Sequence, residues 1–259
     1  MPSSRMSEAP PSSRTCEASV GIYFHHLRTM NARTLLTILT LAAATPLGAQ
    51  KAPDITPYLI AVRLDEIMLA RSAAPFDISA TATVLVLTPK GYVEAWPGTG
   101  TNGFTCLVMR SFGGAPDDPG FWNPKIRGPM CYNAPATRTV LPVNLAQIDW
   151  VLAGVPPAEL NARLAKAFAE QRFAPPAPGA MVYMLSRRQV LSDAYPHWMP
   201  HLMFYYDRTV TAPAFGAGGM TAPVIDASAG DPKGPMQVFY VPTRTWSNGA
   251  PAVPATHGK

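Results

Sequence analysis

The segment His197-Trp198-Met199-Pro200-His201-Leu202-Met203 carries the most specific pattern of metal-binding side-chain types in the chain. His197, Met199, His201 and Met203 fall at alternating positions. Alternate side chains of an extended strand point to one face, and Pro200 disfavours a helix and pushes the residue before it toward extended geometry. Imidazole and thioether donors together suit copper, above all the soft ion Cu(I). The pattern predicts a copper site on one strand face.

A structural interpretation of the same residues is the better supported one. With 12 Met in the chain, some alternation of His and Met arises from composition alone. Met199 and Met203 would then be core residues, His201 a buried and hydrogen-bonded histidine, and His197 a loop residue. The neighbouring segments 181–184 and 204–207 are rich in Met and Tyr and could line an apolar pocket, although sheet cores have the same composition. The sequence therefore requires no cofactor, and copper is the one that it favours.

Cys106 and Cys131 are the two cysteines that follow residue 49. In an oxidising compartment such a pair usually forms a disulfide, and this bridge would close a loop of about 26 residues, worth about 3.5 kcal/mol in the chain-entropy model. Alternatively Cys106 could be a nucleophile, with His201 as its base and Asp207 as the orienting carboxylate. A disulfide would abolish that thiolate, and a strand offers no helix N-terminus to activate it. We predict the disulfide.

Other catalytic patterns are weaker. Ser192, Asp193 and His197 could form a triad, but they are crowded within six positions, whereas triad residues usually converge from distant segments. Residues 98–103 match the glycine pattern of dinucleotide-binding loops, but a strand is expected to follow them, so a hairpin turn is the better interpretation. P-loop, nucleophile-elbow, HExxH and EF-hand patterns are absent from the sequence. We predict no catalytic residue.

The N-terminal region predicts export. Met30-Asn31-Ala32-Arg33 opens a basic segment, residues 35–44 are an apolar run, and small residues before Gln50 suit signal-peptide cleavage. The run is too short to span a membrane, and no Cys follows Ala49 for acylation, so we expect no stable membrane anchor. Residues 1–29 are polar and precede a second Met, which indicates a start codon assigned too far upstream. The alternative is a cytoplasmic extension on a type II anchor.

Charge and composition exclude two broad classes of protein. Removal of residues 1–49 would take away four Arg and two Glu, which lowers the net charge from +5 to +3. The remaining basic residues are scattered apart from Arg187-Arg188, so no nucleic-acid partner is predicted. A hydrophobic content of 47% with only 14% charged residues excludes a disordered polymer.

The periodicity of the mature part predicts a single α+β domain over residues 50–241. A first helix is expected from Thr56-Pro57 to near Pro75, a second over 144–152, and a third from Pro157. Strands are expected at 81–87, 92–96, 104–109, 181–186, 201–207 and 236–241, the first three as a meander. Partial segregation of helices and strands favours a mixed or mainly antiparallel sheet of about six strands with two to three packed helices. Residues 242–259 are expected to form a mobile tail.

Four stretches of the chain resemble a known group of sequences. They are Leu-Ala-Arg-Ser-Ala-Ala-Pro at 69–75, Gly-Thr-Asn-Gly-Phe-Thr-Cys at 100–106, Val-Tyr-Met-Leu-Ser at 182–186 and Pro-His-Leu-Met-Phe-Tyr at 200–205. The group that they resemble consists of uncharacterised bacterial exported proteins, and the resemblance covers most of residues 65–210. It implies a shared fold and an exported setting, and it implies no activity and no catalytic residue.

We therefore expect an exported, soluble protein in the periplasm or outside the cell. A binding or structural module is a better expectation than an enzyme. The alternatives are a periplasmic copper-binding protein that uses the His/Met strand face and a Cys- or Ser-dependent hydrolase.

Overall fold

The computed structural model describes residues 53–96, 102–193, 198–230 and 234–252. The chain divides into two compact units, Met1–Thr45 and Pro46–Lys259, and every described residue belongs to the second. The expected signal peptide and His197 lie outside the described residues, as does most of the glycine pattern at 98–103. In the described ranges, no helix is both long enough and apolar enough to cross a membrane.

A mixed sheet of eight strands forms the centre of the fold. The strands are β1 (Thr83–Thr88), β2 (Gly91–Trp96), β3 (Thr105–Met109), β4 (Gly128–Tyr132), β5 (Met181–Met184), β6 (His201–Tyr206), β7 (Ile225–Asp226) and β8 (Gln237–Pro242). Their order across the sheet is β2-β1-β3-β4-β5-β6-β8-β7. β1 and β3 run parallel, and the other paired strands are antiparallel. The α+β class and the mixed sheet confirm the prediction, but the number of strands is larger than predicted.

The two strands that the sequence did not predict are β4 and β7. Pro129 lies inside β4, and a proline normally argues against a central strand because it cannot donate to the ladder. Here the β4–β5 pairing involves only Cys131 and Tyr132, so Pro129 stands outside it. β7 has two residues, too few for any alternation to be recognised.

The expected meander of β1, β2 and β3 is wrong. β1 and β2 form the predicted hairpin around Gly91, whose φ of +107° suits glycine. β3 instead pairs with the other edge of β1, in parallel, through Thr83–Thr105 and Val84–Cys106. All five residues of β3 are buried, which fits an interior position in the sheet, whereas exposed residues of β2 fit an edge.

Six helices accompany the sheet in the described part of the chain. They are α1 (Arg63–Arg71), α2 (Phe76–Ser79), α3 (Ala134–Thr139), α4 (Leu141–Leu152), α5 (Pro157–Ala169) and α6 (Ala212–Phe215). The helix expected from Pro157 is α5, and its Leu160, Leu164 and Ala167 are buried as one stripe. α3 was not predicted, although Asn133 caps it by accepting a hydrogen bond from the Ala136 N–H at 3.0 Å.

The first helix differs from the prediction. Thr56–Tyr58 form only a 3₁₀ turn, and the α-helix begins at Arg63. Leu64 and Met68 of this helix are apolar but 63% and 52% exposed. The face that packs on the sheet instead carries Glu66, because this carboxylate has an ion-pair partner in the core.

Strand alternation divides the core between the two faces of the sheet. On one face, Leu107 and Met109 of β3 pack with residues of α4 and α5 such as Ile148 and Leu160. On the other, Cys106 and Val108 pack with Ile67 and Ala70 of α1. Consecutive side chains of β3 therefore enter different cores, as the period of two requires.

The segment expected to be a mobile tail is bonded to the domain over residues 243–252. The Thr243 N–H donates to the Pro200 carbonyl at 2.8 Å, and the Ser247 N–H donates to the Leu185 carbonyl at 2.8 Å. A bridge between Thr245 and Pro251 closes a final turn. These contacts tie the C-terminal segment to the loops that follow β5 and precede β6.

Candidate functional site

A cavity of about 470 Å³ opens on the sheet face that also packs against α4 and α5. Its lining includes five methionines, Met109, Met130, Met184, Met203 and Met236, contributed by five different segments of the chain. Four of these methionines are buried, and Met130 is half-buried. Thioether side chains are flexible and polarisable, so the cavity wall can adapt its shape to a guest.

Strand β6 supplies one wall because of its alternation. His201, Met203 and Tyr205 are buried and line the cavity, whereas Leu202 and Phe204 point to the other face and are half-buried. Antiparallel register places Met184 of β5 directly opposite His201. The pairing brings a methionine and a histidine from separate strands to the same part of the cavity.

His201 is held in one tautomer by its surroundings. Its side chain is 1% exposed, and Nδ1 lies 3.0 Å from the Met199 carbonyl oxygen. Because a carbonyl only accepts, Nδ1 carries the proton and Nε2 presents a lone pair. Burial lowers the pKa of His201 to about 4, and the hydrogen bond to Met199 offsets only part of that effect. The imidazole is therefore neutral at neutral pH.

Two aromatic rings flank the imidazole. The Trp198 ring centroid is 4.6 Å from that of His201 in an edge-on arrangement, and the Tyr240 centroid is 4.8 Å away. Trp198 and Tyr240 are themselves 5.5 Å apart, and all three residues line the cavity. This aromatic cluster gives the His201 end of the cavity a rigid and largely apolar wall.

Tyrosine hydroxyls contact two of the methionine sulfurs. The Tyr132 hydroxyl donates to Met130 Sδ at 3.4 Å and accepts from Asn144 Nδ2 at 2.7 Å. The Tyr205 hydroxyl lies 3.6 Å from Met203 Sδ as a donor. Burial raises the pKa of both phenols, so they remain neutral donors rather than becoming anions.

Polar side chains also line the cavity, among them Arg110 and Gln147. Arg110, 1% exposed, forms an ion pair with Glu66 at 2.8 Å and donates from Nε to the Tyr58 carbonyl at 2.8 Å. Gln147 Nε2 donates to the Gly114 carbonyl at 2.7 Å and to the Phe112 carbonyl at 3.2 Å. The buried charge of Arg110 is thus compensated locally.

The structure brings together only part of the predicted His/Met set. His201 and Met203 meet in the cavity, while Met199 contributes its backbone carbonyl to His201 and does not line the cavity. His197 lies outside the described residues. The four-ligand set stays a prediction, and the structure offers Met184 as a neighbour of His201 that the linear pattern did not reveal.

The cysteines are joined as a disulfide, with Cα atoms 4.0 Å apart in directly paired positions of β3 and β4. Cys106 belongs to the core on the α1 side, whereas His201 lines the cavity on the other face of the sheet. Asp207 is fully exposed, and the hydroxyl and N–H of Thr209 hold the pKa of its carboxyl below the usual range. The arrangement gives no support to a Cys106 nucleophile assisted by His201 and Asp207.

The serine arrangement is only partly described. Asp193 accepts a hydrogen bond from Asn123 Nδ2 at 3.1 Å and lies 3.9 Å from Lys125 Nζ on the surface. The histidine that it would need, His197, is outside the described residues. Within the described ranges, no group of three or more His, Cys, Asp or Glu side chains is placed so that it could hold a metal ion.

Comparisons of the chain with protein-family models, with curated proteins and with solved structures found no match. The assignment of a role to the cavity therefore rests on its own geometry and chemistry.

Sequence reasoning identified two of the cavity residues as candidate ligands and missed the remainder of its methionines. The alternation in residues 181–184 and 204–207 pointed to an apolar pocket, and Met184 and Tyr205 do line the cavity. Phe204 and Tyr206 face away from it. Met109, Met130 and Met236 carried no signal, because their convergence depends on pairings between strands that are distant in sequence.

Proposed function

We propose that this protein is an exported binding module that takes a small, largely apolar ligand into the methionine-lined cavity. The observation that carries this proposal is a cavity of about 470 Å³ whose mixed lining includes five methionines and the rings of Trp198, Tyr205 and Tyr240. Small-molecule sites are typically concave, mostly apolar and furnished with a few placed polar groups. Here Asn144, Gln147 and His201 are among the polar lining residues.

Methionine suits this role because it combines apolar surface with three rotatable bonds. A guest can therefore be packed by rotamer changes without movement of the sheet. The flanking rings of Trp198 and Tyr240 favour a planar or aromatic portion in the ligand. The neutral lone pair of His201 favours a ligand that donates one hydrogen bond.

A titration with a fluorescent apolar probe tests the cavity. N-phenyl-1-naphthylamine fluoresces strongly in apolar surroundings, and we expect saturable binding of one molecule per chain. Val238→Trp and Met130→Trp replace half-buried lining residues by a ring that fills the cavity. We expect each to weaken probe binding by about tenfold or more, equivalent to about 1.4 kcal/mol.

Leu202→Trp is the matched control, because Leu202 is half-buried on the other face of β6. Its probe affinity should stay within about twofold of the wild type on the same free-energy scale. Circular dichroism and thermal melts establish that each variant is folded. Equal probe binding by the wild type and both cavity-filling variants would place the probe elsewhere and overturn the proposal.

The exported setting is supported by the disulfide between Cys106 and Cys131, since such bonds persist in oxidising compartments. Expression of the full chain in a bacterium, followed by N-terminal sequencing of periplasmic and secreted fractions, tests it. We expect a mature protein that begins near Gln50. A mature protein that retains residues 35–44 would overturn the signal-peptide interpretation.

A further inference from the structure

Three soft or borderline donor groups meet at the His201 end of the cavity. Met184 and His201 are directly opposite each other on β5 and β6. Met203 is the next residue of β6 on the same face, and all three line the cavity. Directly opposite side chains of an antiparallel pair have Cβ atoms about 4.5–5.5 Å apart, so flexible methionines can bring their sulfurs to a point shared with the imidazole.

The imidazole has an uncommitted lone pair at this position. Nδ1 is hydrogen-bonded to the Met199 carbonyl, and that is the one hydrogen bond that His201 makes with described residues. Nε2 therefore presents its lone pair inside a cavity while the residue is 1% exposed. Because Nδ1 is the nitrogen held by Met199, Nε2 is the nitrogen through which His201 can bind a guest.

The chemistry of the donors selects the kind of guest. The two thioethers and the imidazole are neutral donors. A divalent ion would lose its hydration without meeting any anionic ligand, which is unfavourable in an apolar site. Zn²⁺ favours thiolate, imidazole or carboxylate ligands, and Mg²⁺ and Ca²⁺ favour oxygen ligands. Thioether sulfur with imidazole nitrogen is the donor set suited to a soft monovalent ion such as Cu(I).

The aromatic neighbours add to this selectivity. The rings of Trp198 and Tyr240 pack against the imidazole, with centroid distances of 4.6 and 4.8 Å. These rings make the surroundings of the imidazole apolar, which disfavours the more strongly hydrated Cu(II) ion. The Tyr205 hydroxyl, 3.6 Å from Met203 Sδ, orients that thioether while leaving a sulfur lone pair for a metal.

We propose that the His201 end of the cavity is a Cu(I) site, with His201 Nε2, Met184 Sδ and Met203 Sδ as its ligands. This site does not require that the rest of the cavity hold an apolar ligand. It keeps two members of the linear His/Met pattern and replaces Met199 and His197 by a methionine from the neighbouring strand.

Anaerobic titration with Cu(I) in ascorbate, in competition with bicinchoninate, tests the site. We expect one Cu(I) per chain in the wild-type protein. Met184→Leu and Met203→Leu keep the side-chain volume but remove the sulfur, and each should weaken Cu(I) binding by about tenfold or more. His201→Phe should abolish competition with the chelator.

Met181→Leu is the matched control, because Met181 lies on the same strand as Met184 but pairs with Phe204 on the opposite face. Its affinity should remain within about twofold of the wild type, a difference well below the tenfold loss expected of a true ligand. X-ray absorption at the copper edge should report sulfur and nitrogen scatterers in the wild type and fewer sulfurs in Met184→Leu. Ag(I), which does not change oxidation state, should bind with the same stoichiometry.

Two outcomes would overturn the copper proposal. One is equal Cu(I) affinity in the wild type and in folded His201→Phe protein. The other is equal affinity in Met184→Leu and Met181→Leu. Binding of N-phenyl-1-naphthylamine without Cu(I) binding would refute the copper site and leave the apolar-ligand proposal standing. Cu(I) binding without binding of the probe would support the copper site and refute the apolar-ligand proposal.

Discussion

The buried ion pair between Glu66 and Arg110 lies between the first helix and the sheet, and its disruption should cost much of the stability of the fold. The two side chains meet at 2.8 Å, and each residue is 1% exposed. Glu66 Oε1 also accepts the Leu87 N–H at 3.1 Å. Arg110 donates from Nε to the Tyr58 carbonyl at 2.8 Å and from a terminal nitrogen to the Val108 carbonyl. One charged pair thus connects α1, β1, β3 and the segment before α1.

Glu66→Gln removes the negative charge while preserving shape and a hydrogen-bond acceptor. Arg110 would then be a buried cation without a counter-charge, and breaking a buried pair in this way typically costs about 3–5 kcal/mol. Arg127 adds to the loss. Burial lowers the pKa of Arg127 and the charge of Arg110 lowers it further, whereas the charge of Glu66 raises it. We expect the free energy of unfolding to fall by about 3–5 kcal/mol, measured by urea denaturation without reductant.

An exposed ion pair in the same molecule provides the control. Glu159 and Arg163 of α5 meet at 3.2 Å with side chains 46% and 47% exposed, so Glu159→Gln should change stability by less than about 1 kcal/mol. The double variant Glu66→Met/Arg110→Met removes both buried charges and should be more stable than Glu66→Gln alone. The reasoning fails if Glu66→Gln is as mild as Glu159→Gln, or if the double variant is the less stable of the two.

Three further predictions concern the pH dependence of stability, the disulfide and the turn at Gly103. The His201 pKa of about 4 lies below that of an unfolded histidine, so the unfolded state binds more protons between pH 6.5 and 4. The contribution of His201 to the free energy of unfolding should be fully present above pH 6.5, and about 2 kcal/mol of it should be lost by pH 5. Denaturation curves of the wild type should show this loss, and those of His201→Phe should not. An identical pH profile in both proteins would contradict this. Cys106 and Cys131 should resist alkylation until reduced, and reduction should lower stability by about 3.5 kcal/mol; two freely reactive thiols in the native protein would refute the bridge. Gly103 has a φ of +64°, and a Cβ there would lie 2.9 Å from the Ala134 Cβ, so Gly103→Ala should cost about 1–3 kcal/mol in thermal melts. Gly219→Ala, where nothing lies within 4 Å of the added Cβ, should be close to neutral, and equal effects at the two positions would count against the argument.

Local periodicity predicted several elements well because it depends only on neighbouring residues. The β1–β2 hairpin around Gly91 and the buried stripe of α5 are both present in the structure. The same alternation put His201 and Met203 on one face of β6. The two cysteines that follow residue 49 pair as expected, and that part of the sequence contains no other cysteine.

Tertiary structure decided which strands are neighbours. No local pattern in β3 shows that it inserts beside β1 in parallel, because that choice depends on burying both faces of the strand. Pro129 likewise concealed β4, which is tolerated because its pairing with β5 begins two residues later. These placements arise from long-range packing energies that a short window of sequence does not contain.

The candidate site shows the same division. Alternation along one strand could place His201 and Met203 together, since a period of two is a property of a single extended chain. Met184 joins them only because β5 and β6 pair in one particular register, and a slip of one residue would turn Met184 to the opposite face. The neutral state of His201 likewise depends on its burial, and Tyr240, which packs against it, comes from β8. The residue types were therefore visible in the sequence, whereas their meeting in one cavity required the sheet.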